Sequence, residues 1–135
     1  MADNLIDIEG IGATHAKTLA DAGLTNTDHL LDAAGGATGR KNLAAKTGLS
    51  ESQLLEWVNR ADLMRVKGIG SEYSDLLEAS GVDTVKELAT RVPANLVAKL
   101  AEVNEAKKLV RRVPTESEVT GWVAEAKNLP TKVSH

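Results

Sequence analysis

The chain has 135 residues, enough for one domain or for two small halves that share a core. Its 42% hydrophobic content is that of an ordinary globular protein, and a formal net charge of −3 does not mark it as a nucleic-acid binder. The absence of cysteine excludes disulfides, thiolate metal sites and cysteine nucleophiles.

Taken in order, residues 3–8 read as a short helix capped by Asp3 or Asn4. Gly10-Ile11-Gly12 breaks it, since glycine tolerates the positive φ of a tight turn. A helix is expected over about 13–22 with Ala16, Leu19 and Ala20 inward, closed by Gly23. Another runs over about 27–34 under an Asn26 or Thr25 cap. The run Gly35-Gly36-Ala37-Thr38-Gly39 reads as a flexible loop, followed by a short helix over 40–47 that Gly48 closes. Ser50 to Gln53 is a capping box that opens a helix over 51–65. Its apolar stripe is Leu54, Trp57, Val58, Ala61 and Met64.

The same order then returns. Lys67 leads into Gly68-Ile69-Gly70, 58 positions after the first Gly-Ile-Gly, and Ser71 can cap the helix that Gly81 ends. Thr84 to Glu87 is a second capping box. Pro93 reads as a break, with Asn95 capping a helix from Leu96. Pro114 is another break, and Thr115 to Glu118 a third capping box, opening a last helix over 116–128. Its stripe is Val119, Trp122, Val123, Ala126 and Leu129, each 65 positions after its counterpart in the first half. Five matches at one offset indicate an internal repeat. The expected fold is all-α, as two tandem helical repeats. Residues 1–65 form the first and 51–130 the second, with helix 51–65 shared and a frayed tail at 131–135.

The offset grows from 58 to 65 because the second half gains seven residues between Asn104 and Thr115. That interval holds Lys107, Lys108, Arg111 and Arg112, which on one helix would form a single basic stripe beside Leu109 and Val113. Residues 1–63 carry 5 Lys/Arg against 9 Asp/Glu, and residues 64–135 carry 11 against 10, so a polyanion is expected to prefer the second half.

The arrangement of helix, Gly-Ile-Gly turn and helix at about 3–23 and 51–81 resembles the helix-hairpin-helix motif of SAM-like folds, with the small residues Ala16 and Ser74 and the leucines Leu19 and Leu77 at their expected places. The whole chain is similar to the family called domain of unknown function 4332. The similarity lies in Ile8 to Gly12, in Trp57 to Met64, in Lys67 to Gly70 and in Lys107 to Arg112. The motif implies that turn amides, with the helix N-terminus behind them, hold a nucleic-acid phosphate, a contact that reads backbone and not sequence. The residues so implicated are Gly10, Ile11, Gly12, Thr14 and Lys17 at the first turn, and Lys67, Gly68, Ile69, Gly70 and Ser71 at the second. Lys107, Lys108, Arg111 and Arg112 would assist. Glu9, Glu72 and Asp75 stand close enough to repel an anion, so a second reading remains: the turns only let helices approach, and the domain binds another protein.

Trp57 and Trp122 lie on the apolar stripes and are expected in the core. His15, His29 and His135 form no metal-binding spacing, and no nucleophile, base and metal set converges, so neither catalysis nor a cofactor is expected. Met1 to Asn4 lacks a signal-peptide pattern, and no stretch approaches the roughly 20 apolar residues that cross a bilayer, so a soluble cytoplasmic protein without a membrane partner is expected. Oligomeric state is not legible.

Overall fold

The computed structural model describes residues 3–134; Met1 and Ala2 of the predicted first repeat and His135 of the predicted tail lie outside the described residues. Among the described residues the protein is all-α. A 3₁₀ turn at Leu5–Asp7 precedes eight α-helices: α1 (Ala13–Asp21), α2 (Thr27–Ala34), α3 (Ala37–Thr47), α4 (Glu51–Leu63), α5 (Ser71–Ala79), α6 (Val85–Leu88), α7 (Pro93–Lys107) and α8 (Glu116–Ala126). Residues 3–62 with 131–134 form one compact unit, and residues 63–130 form the other.

In the first unit the predicted helix over 3–8 shrinks to the single 3₁₀ turn. Its cap residues are engaged elsewhere: Asn4 makes a β-bridge with Asn26, and the Asp3 and Thr27 segments exchange hydrogen bonds of 3.2 and 2.9 Å. Asn26 caps α2, its Oδ1 accepting from the His29 N–H at 2.9 Å. Leu19, Leu30, Leu31, Leu54 and Trp57 are buried, whereas Ala20, predicted inward, is exposed. It lies a full 100° round α1 from Leu19 and off the buried stripe.

The glycine-rich loop predicted over 35–39 is instead a tight junction: Gly35 is the C-cap of α2, Gly36 the N-cap of α3, and residues from Ala37 on are already helical. The glycines serve close approach: a Cβ on Gly39 would lie 2.1 Å from the Ala33 carbonyl oxygen. One turn into α3, Arg40 is buried. A buried guanidinium must find acceptors, and it finds carbonyls at the negative end of α2. Its Nη1 donates to Ala34 O at 3.1 Å and to Gly35 O at 2.7 Å, and its Nη2 to Ser134 O. The tail predicted to fray is therefore tied down over its described residues: the Ser134 N–H donates to Gly35 O at 2.9 Å, and Val133 is buried.

Ser50 caps α4 through its Oγ, which accepts from the Gln53 N–H at 3.0 Å. The helix stops at Leu63, two residues before the predicted end, as the chain bends into the next turn through Val66 N–H to Leu63 O. Its predicted stripe, Leu54, Trp57, Val58, Ala61 and Met64, is buried throughout.

In the second unit Gly70, and not Ser71, is the N-cap of α5; Ser71 is already helical and caps nothing with its side chain. Thr84 caps α6 by accepting from Glu87 N–H at 3.2 Å, but only half of the predicted box forms, because the Glu87 carboxylate takes Arg91 at 2.7 Å. The Thr115–Glu118 box is complete. Pro93 starts α7 where a break was predicted, three residues before Leu96. At the first helical position a proline loses no hydrogen bond, and its fixed φ suits the helix.

The largest departure is at the far end of α7. The helix ends at Lys107, and Lys108 turns left-handed at φ 53°, ψ 45°. Asn104 explains the break. Its Oδ1 accepts from Val110 N–H at 2.9 Å and its Nδ2 donates to Val110 O at 3.1 Å, which draws Val110 into the core. Lys107, Lys108, Arg111 and Arg112 thus straddle a helix end and an irregular strap and do not form one helical stripe. The strap leads into α8, whose Val119, Trp122, Val123 and Ala126 are buried and whose predicted last member, Leu129, is half-buried beyond the helix.

Candidate functional site

Two turns share one local geometry. Gly10 has φ +93° and Gly68 φ +95°, a region L side chains rarely adopt. Each glycine lies against a tryptophan: a Cβ on Gly10 would come within 3.2 Å of Trp57 Nε1, and one on Gly68 within 3.1 Å of Trp122 Nε1. Each indole also meets an aromatic ring from the following helix. His15 tilts against Trp57 with centroids 5.1 Å apart, and Tyr73 against Trp122 at 5.2 Å. Both tryptophans are core residues, as their stripe positions predict. Their place beneath the turns is not legible from spacing, because the seven-residue gain of the second half separates Gly68 from Trp122 by more positions than Gly10 from Trp57.

Ile11 and Ile69 are buried, and their amides donate inward, to Ile8 O at 3.0 Å and Val66 O at 3.1 Å. Neither residue therefore offers a side chain or an amide to a ligand. The outward surface belongs to Gly10, Gly12, Gly68 and Gly70, all exposed. Behind Gly12 the first helical bond is Ala16 N–H to Gly12 O, and behind Gly70 it is Ser74 N–H to Gly70 O, both 2.9 Å. The amides of Gly12, Ala13 and Thr14, and of Gly70, Ser71 and Glu72, precede those bonds and head α1 and α5. Gly12 (φ −84°, ψ −177°) and Gly70 (φ −100°, ψ −163°) are ordinary extended residues, and a Cβ on either would meet nothing within 4 Å.

Charge differs between the turns. At the first, Thr14 is exposed and Lys17 pairs with Asp21 at 3.4 Å in a solvated i,i+4 contact of little energetic weight. At the second, the Lys67 amide already donates to the Glu125 carboxylate at 3.1 Å. The strap after α7 folds against α5, closing a gap of about forty residues in sequence. The Tyr73 hydroxyl donates to Arg112 O at 2.9 Å, and Arg111 Nε approaches Glu72 at 3.7 Å. Arg112 makes a two-pronged pair with Glu118 at 2.8 and 3.0 Å. That pair and the Thr115 N–H hold the Glu118 carboxyl down to about 2, and Glu118 in turn raises the Arg112 guanidinium. Lys108 lies 3.9 Å from Glu105, and Lys107 is exposed at the end of α7. The structure thus brings Lys67, Gly68, Arg111 and Arg112 into the second unit's turn region together with carboxylates that offset them.

Among the described residues no group of three or more His, Asp or Glu side chains could hold a metal ion, and no helix is long and apolar enough to cross a membrane. No curated protein and no solved structure matches the chain. One family model does, over residues 9–129, and the chain accordingly belongs to the family described as Domain of unknown function (DUF4332).

Proposed function

We propose that the chain is a non-catalytic module of two tandem helix-hairpin-helix copies that binds nucleic-acid backbone without reading sequence. The observation that carries this is the second glycine of each turn. The first glycine is demanded by its positive φ and by the tryptophan beneath it. Gly12 and Gly70 are demanded by neither, yet glycine stands at both. A missing Cβ in open space, at the head of a helix whose first amides precede the helical bonds, suits a ligand that must approach the backbone closely. A phosphate oxygen fits that requirement, drawn by the amides and by the positive end of the helix dipole. Lys17 and Lys67 would add charge at the two turns.

The competing reading, a protein-interaction domain, is favoured by one observation: Glu125 already holds the Lys67 amide, and Arg111 and Arg112 are already paired.

Fluorescence anisotropy with a short duplex separates the two. Binding with Kd of about 10⁻⁴–10⁻⁶ M near physiological salt, tightening as salt is lowered, is expected. Gly12→Ala with Gly70→Ala should weaken it about tenfold, the loss of one charge-assisted hydrogen bond of roughly 1.5 kcal/mol, without lowering thermal stability appreciably. No binding of duplex or single strand at about 100 μM protein in about 50 mM salt would sink the nucleic-acid reading.

A further inference from the structure

One of the differences between the two turns lies on the helix that carries the tryptophan. Glu125 lies one helical turn after Trp122 on α8, and its carboxylate accepts the hydrogen bond of the Lys67 amide at the entry to the second turn. On α4 the position one helical turn after Trp57 holds Arg60. The same place beside the same tryptophan thus carries a negative charge in one unit and a positive charge in the other.

We infer that Glu125 is an autoinhibitory contact: its carboxylate occupies the second turn as an internal anion, and the turn takes an external phosphate only when that carboxylate is displaced. The inference rests on the phosphate-binding reading above and assigns that site a gate. A carboxylate and a phosphate oxygen present the same acceptor to an N–H donor, so they compete for the Lys67 amide directly. The competition is also electrostatic. Glu125 and Lys67 belong to one shallow depression with Gly68, Glu118 and Trp122, and a second anion entering it meets the first at close range. Arg112 offsets Glu118 there, but no cation contact offsets Glu125 among the described residues. Glu125 is half-buried on α8 and its side chain takes no part in the core, so removing it leaves the fold intact.

The test uses Glu125→Ala in the full chain, with Glu125→Gln as a variant that keeps shape and removes charge. Amide exchange at Lys67, read by NMR, should speed up by about tenfold in Glu125→Ala. Inorganic phosphate is the probe for the gate: it should shift the Lys67, Gly68 and Gly70 amide signals of both variants at concentrations that leave the wild type unmoved. Unchanged exchange at Lys67, or second-turn signals that stay still in both variants, would overturn the inference. The duplex arm judges the broader reading separately. If the wild type binds duplex and neither variant binds at least about threefold tighter, the gate is wrong and the binding function stands. If no form binds duplex, the nucleic-acid function fails, and the phosphate shifts alone decide whether Glu125 gates the turn.

Discussion

Replacing Gly10 by alanine should be far more damaging than replacing Gly12, two residues away in the same turn. At Gly10 the backbone sits at φ +93°, where an L residue is strained by about 1–2 kcal/mol. The new methyl would also press on Trp57 Nε1 at 3.2 Å. Trp57 is 2% exposed and wedged against His15, so it has little room to move. Overpacking of this kind adds about 1 kcal/mol, for a total of roughly 2–3 kcal/mol. At Gly12 neither term applies, because φ is −84° and the space is open. Alanine there gains some stability by restricting the unfolded chain, about 0.4–1 kcal/mol, and gives most of it back as a poorer N-cap. The expected net change is near zero. Urea unfolding followed by tryptophan fluorescence and by circular dichroism measures both, with the midpoint falling for Gly10→Ala and holding for Gly12→Ala while the slope stays constant. Equal midpoints for the two variants would refute the wedge argument and, with it, the claim that only the first glycine is structurally required.

Two other outcomes are open to direct measurement. Arg40→Leu strips the buried carbonyls of Ala34 and Gly35 and the Ser134 carbonyl of their donor; it should cost at least about 2 kcal/mol and make the Ser134 amide, now bonded to Gly35 O, exchange freely in a hydrogen-exchange experiment. The Glu118 carboxyl is lowered in the folded state, so its contribution is present above the ordinary glutamate range and is lost as pH falls through about 2. Carbon-detected NMR titration should find that low midpoint, and Arg112→Ala should move it up towards the ordinary value.

Sequence alone determined those features whose causes are local. Apolar spacing marked Leu54 to Met64 and Val119 to Ala126 as buried faces, and Asn26 and Thr115 announced themselves as caps because a cap needs only its own next three residues. A positive φ within the Gly10-Ile11-Gly12 turn was likewise legible, though not which glycine carries it, as were the left-handed Gly23 and the helix ends at Gly48 and Gly81. Local signals misled where a contact outside the helical pattern decided. Glycines at 35–39 read as flexibility, but they admit the close approach of α3 to the end of α2, and Arg40 then fastens residues 131–134 there. The basic run at 107–112 carried good helical spacing, and Asn104 broke it by closing on Val110. Only the tertiary structure set Trp57 and Trp122 beneath the turns and Glu125 on the Lys67 amide, because each of those contacts joins residues more than forty positions apart, and no periodicity within a helix reports on a partner that far away.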